Sequence, residues 1–98
     1  MDAFGKLVTQ GFTLRSLPQY PRHLRVEKYN CAALLELTPE GKLKQFSAAG
    51  YLVDGQIALL VNRGGQSVFA CKGREVLAEG DALKNFRRFE RELRAALE

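Results

Sequence analysis

The chain predicts an α+β fold, a four- to five-stranded antiparallel meander with a long C-terminal helix packed on one face. Three observations carry this. Two tight-turn signals, Asp54-Gly55 and Gly64-Gly65, punctuate an apolar run from about Leu43 to Lys72. The nearly all-apolar Cys31–Thr38 runs into Pro39-Glu40-Gly41, a turn sequence. After Gly80 the apolar residues take up helical spacing. A half-open β-barrel capped by the same helix is the alternative closure of these elements.

The turns set registers. Pro39 suits the first central position of a type I turn and Gly41 the left-handed position that follows. Leu37 then faces Leu43, Glu36 faces Lys44 and Leu34 faces Phe46, an opposite-charge pair between two apolar ones. Asp54-Gly55 tolerates positive φ at both central residues of a type I′ turn, which pairs Val53 with Gln56, Leu52 with Ile57 and Tyr51 with Ala58. Gly64-Gly65 likewise pairs Arg63 with Gln66, Val61 with Val68 and Leu59 with Ala70. Lys72-Gly73-Arg74 turns once more into a short strand over Glu75–Ala78.

The N-terminal third is less regular. Ala3, Phe4, Leu7 and Val8 have helical spacing behind Asp2 as a cap, against the weakening effect of Gly5 and Gly11. Phe12 and Leu14 alternate as in a strand, Pro18 and Pro21 impose an extended passage, and Leu24 and Val26 alternate again. At the other end Asp81 is the expected cap of the C-terminal helix. Leu83, Phe86, Phe89, Leu93, Ala96 and Leu97 fall within an arc of roughly 140°.

The registers sort side chains onto two faces. Leu34, Phe46, Leu52, Ile57, Leu59, Val61, Val68 and Ala70 share one. Leu35, Leu37, Leu43, Tyr51, Ala58, Leu60, Phe69 and Cys71 share the other. An antiparallel sheet usually leaves one face polar and wet; here both are apolar. One helix covers one face, so residues 1–20, curling of the sheet, or a second copy of the chain must cover the other. The element order resembles that of pleckstrin-homology-like modules, which implies the barrel closure and no function.

Ninety-eight residues suit a single domain over 1–98, and the 46% hydrophobic, 27% charged composition is that of a globular domain. The net charge of +4 is concentrated early, where Lys6, Arg15, Arg22, Arg25 and Lys28 meet only Asp2 and Glu27. No secretory or membrane-spanning run is present, and two cysteines are too few for a disulfide scaffold, so a cytoplasmic protein with free thiols is expected. Cys31 and Cys71 fall on strands separated by two others, about 14 Å apart. His23 is the only imidazole, and with two distant cysteines it makes neither a metal-ligand set nor an evident nucleophile–base pair. Gly64-Gly65 lacks the Gly-Lys-Ser/Thr and helix of a phosphate loop. No catalytic residue, cofactor or metal is therefore expected.

Two functions remain. The surplus apolar face points to a non-catalytic protein-interaction or accessory module, self-associating as a homodimer through that face. Its candidate interface is Leu35, Leu37, Tyr51, Leu60 and Phe69. The alternative is a small basic protein binding RNA or single-stranded nucleic acid. There Arg15, Tyr20, Arg22, Arg25, Lys28 and Tyr29 would interleave cations for phosphates with rings for bases.

Overall fold

The computed structural model describes residues 2–98 and has the α+β class. A short helix α1 (Ala3–Thr9) precedes eight strands and the long helix α2 (Gly80–Leu97). The strands are β1 (Thr13–Ser16), β2 (His23–Lys28), β3 (Cys31–Leu37), β4 (Leu43–Gln45), β5 (Gly50–Val53), β6 (Gln56–Arg63), β7 (Gln66–Cys71) and β8 (Arg74–Leu77). All pair antiparallel, in the order β1-β2-β3-β5-β6-β7-β8 with β4 also on β3, and the sheet curls into a half-barrel.

The strand count exceeds the expected four to five because β1 and β2 both join the sheet and one expected strand is split in two. The four-residue β1 crosses the proline-containing loop to pair with β2, Leu14 opposite Val26. The strand after Gly41 is also broken. Leu37 pairs with Leu43 and Glu36 with Lys44 as expected, but the ladder stops near Phe46 and resumes with Ala32 opposite Gly50. At the break Phe46 N donates to Leu34 O at 2.8 Å, and Ser47 Oγ accepts from Leu34 N at 3.2 Å, so Leu34 keeps both backbone partners.

The later hairpins follow the expected registers, Tyr51 with Ala58, Val53 with Gln56, Leu59 with Ala70 and Arg63 with Gln66. Asp54 and Gly55 have φ of 53° and 78°, the left-handed pair that a type I′ turn demands. A further turn had no glycine to announce it: Tyr29 and Asn30, at φ 55° and 60°, join β2 to β3. Asp2 caps α1, accepting from Gly5 N at 2.8 Å. Asp81 is not the cap of α2. That position is Glu79, whose side chain makes no capping bond, and Asp81 lies in the first turn, where its charge still favours the helix dipole.

The core forms between the sheet and α2. Phe86, Phe89, Leu93 and Ala96 are buried against Val26, Cys31, Ala33, Leu35, Leu43, Ala58 and Phe69. Phe69 lies 5.2 Å from the Phe86 ring and stacks on Tyr51 at 5.1 Å, while Phe12 meets Phe89 edge-on at 5.7 Å. Helix α1 does not cover the second face of the sheet: Leu7 and Phe12 enter this same core, and α1 lies against α2 and β1. The opposite face is covered only in part, by the 17–20 loop at one end, and leaves Phe46, Leu59 and Leu77 exposed.

Candidate functional site

The helix occupies the face on which the sequence places Leu35, Leu37, Tyr51, Leu60 and Phe69. Leu35 and Phe69 are fully buried, and Leu37, Tyr51 and Leu60 pack partly buried against the same core. These five residues hold the helix to the sheet and do not form an exposed surface. The sequence shows two equally apolar faces, and the choice between them lies in small residues. Cys31, Ala33 and Ala58 leave room on the middle strands for Phe86 and Phe89 to approach.

The unclaimed face carries two features. The first is a groove of about 720 Å³ beside the β5–β6 turn. Leu34 and Phe46 line it, with Ile57 and the loop residues Leu17, Pro18 and Tyr20. Phe46 is 56% exposed. His23 packs edge-on between two rings, 4.5 Å from Phe46 and 5.8 Å from Tyr20. Arg25 Nη2 donates to Gly55 O at 3.0 Å and ties the turn down over β2. The groove's charge-bearing residues are Arg25, Lys72 and the titratable His23; no Asp or Glu lines it. The second feature lies farther along β6 and across to β8. Leu59 and Leu77, each 44% exposed, share a face by register with Val61 and Ala70.

The six candidate nucleic-acid contacts separate. Arg15 and Arg25 stand opposite one another and both reach Glu27 Oε2, at 2.9 and 2.7 Å. Arg22 Nε donates to Leu37 O at 3.2 Å, and Tyr20 joins the groove. Lys28 and Tyr29 project to the helix side. Lys28 Nζ lies 2.6 Å from Glu92 Oε1, and Tyr29 OH bonds both Glu92 oxygens at 3.1 and 3.0 Å. Arg88 Nε donates to Glu92 at 3.0 Å and its guanidinium sits 4.8 Å over the Tyr29 ring. This knot holds Tyr29 in the left-handed conformation a bulky residue rarely adopts. Alternation along β2 divides the set, since successive side chains point to opposite faces.

Burial raises the Glu92 carboxyl, but the hydrogen bonds from Lys28, Tyr29 and Arg88 outweigh it and hold the group below its ordinary 4.5. Burial lowers Lys28, yet its bonds to Glu92 and Tyr29 carry it above 10.5. The depressed carboxyl contributes stability that is full above about pH 4.5 and lost as pH falls through its folded value; the raised lysine contributes stability that is full below pH 10.5 and lost above it. Glu92→Gln leaves Lys28 without its counter-charge and is expected to cost about 2 kcal/mol at pH 7. Urea unfolding at pH 7 and pH 3 measures it, and the gap between wild type and variant should narrow at the lower pH. An unchanged gap would remove the carboxylate charge as the cause.

Burial, with the nearby Glu90, pushes the Cys31 thiol up to about 12, which leaves it protonated and unreactive. Both cysteines are free. Among the described residues no cluster of three or more His, Cys, Asp or Glu could hold a metal ion, and no helix is long and apolar enough to cross a membrane. Neither protein-family models nor curated proteins nor solved structures match the chain. Phe46, Leu34 and Ile57 were already grouped on one face by the turn registers, but nothing in the sequence distinguished that face as the open one.

Proposed function

We propose that this protein is a non-catalytic interaction module that works through the open apolar face of its sheet, with a second copy of the same chain as its partner. The observation that carries this is the surplus face: of the two apolar sides of the sheet the helix covers one, and the other leaves Phe46, Leu59 and Leu77 exposed. Contiguous exposed apolar surface generally marks an interface. Leu77 belongs to β8, the last strand of the sheet, whose four residues are all exposed, and Leu59 stands on the same face two strands in, on β6. Two such faces packed on one another through a two-fold axis would bury both leucine pairs.

Light scattering on the eluting protein tests this. The expected mass at high concentration is twice the 11.0 kDa of the chain, and Leu59→Lys with Leu77→Lys should return it to one. A monomer at millimolar concentration would rule out the homodimer. Nucleic-acid binding has less support, because Arg15 and Arg25 share Glu27, Lys28 serves Glu92, and Tyr20 and Tyr29 are on different faces.

A further inference from the structure

We propose that the groove between the Leu17–Tyr20 loop and the β5–β6 turn binds a small apolar molecule bearing one carboxylate. The site is distinct from the Leu59–Leu77 patch and goes beyond the interaction reading. Its volume of about 720 Å³ lies within the usual range of small-molecule sites, roughly 300–1,000 Å³. Leu17, Leu34, Phe46 and Ile57 supply apolar wall for a hydrocarbon body.

The charge-bearing residues that line the groove are all basic, with Glu27 and Glu36 behind them against Arg25 and His23. One carboxylate, Glu27, serves both Arg15 and Arg25, which leaves a positive surplus on this face. Arg25 Nε is 2.7 Å from Glu27 but out of line for a hydrogen bond, and only Nη2 has a hydrogen-bonded protein partner among the described residues. Its Nη1 has no protein partner among the described residues and is left to donate to an anion, a charge-assisted hydrogen bond. His23 Nε2 is buried 3.5 Å from Glu36 without a hydrogen bond, and Lys72 is the exposed cation at the rim.

Decanoate, decanol and decylammonium, titrated below their micellar concentrations and followed by amide chemical shifts, test the proposal. Decanoate should saturate one site, shift Tyr20, His23, Phe46 and Ile57, and bind at least about tenfold more tightly than either comparator. Phe46→Glu and Lys72→Glu, both at exposed positions, should weaken it by a similar factor while leaving the unfolding midpoint in place. The Leu59→Lys, Leu77→Lys protein should still bind decanoate whether or not it has lost a dimer, so failure of one proposal is separable from failure of the other. Equal binding of decylammonium, saturation by decyl phosphate but not decanoate, or shifts confined to the α1 residues Phe4 and Val8 would each overturn the assignment.

Discussion

Phe69→Ala is expected to cost about 3–5 kcal/mol. Phe69 is wholly buried, stacked on Tyr51 and edge-on to Phe86, so alanine leaves a cavity between sheet and helix. A domain of this size has a total stability of about 5–15 kcal/mol, so the loss is a large share of the whole. The paired measurement is Phe46→Ala. Phe46 is the aromatic on the open face and should cost under about 1 kcal/mol, because more than half of it is already in water. Urea unfolding of the two variants reads directly which face is covered. Similar losses, or a larger loss at Phe46, would mean that α2 does not pack where the structure places it.

Gly50→Ala is expected to cost about 1–3 kcal/mol although alanine adds one methyl group and Gly50 has no unusual φ. The requirement is space. A Cβ there would meet Ala58 O at 2.5 Å and Ala58 C at 3.0 Å, both backbone atoms, and Ile57 Cγ2 at 2.6 Å. Moving Ala58 disturbs its pairing with Tyr51, at the point where β3 passes its partnership from β4 to β5. Gly50→Val should cost more than Gly50→Ala. Hydrogen exchange should show the amides of Leu52 and Ile57 opening sooner, and the groove wall loosening with them. Unchanged stability in the alanine variant would show that β5 and β6 can separate without penalty.

Much of the fold is legible in turn chemistry. Asp54-Gly55, Gly64-Gly65 and Pro39-Glu40-Gly41 each demand a particular backbone geometry, and the registers that follow from them are found up to the break at Phe46, where the expected pair with Leu34 falls outside the ladder. The helix stripe is equally legible: Phe86, Phe89, Leu93 and Ala96 are buried, with Leu83 and Leu97 packed beside them. Tyr29-Asn30 was not, because its left-handed pair is held by Glu92, more than sixty residues away. Nor was the break at Phe46–Ala49, which depends on a serine hydroxyl replacing a strand partner.

The candidate site shows the same division. Local rules assign every side chain of β3 to β7 to one of two faces, because alternation and turn type act over a few residues. They also require that one apolar face be left over. They do not say which. That choice depends on whether Phe86 and Phe89 fit better over Cys31, Ala33 and Ala58 than over Leu34, Ile57 and Leu59, a matter of volumes brought together from distant parts of the chain. The helix took the face with small residues at its centre. Leu35, Leu37, Tyr51, Leu60 and Phe69 therefore became core, and the groove at Phe46 and the patch at Leu59 and Leu77 became surface.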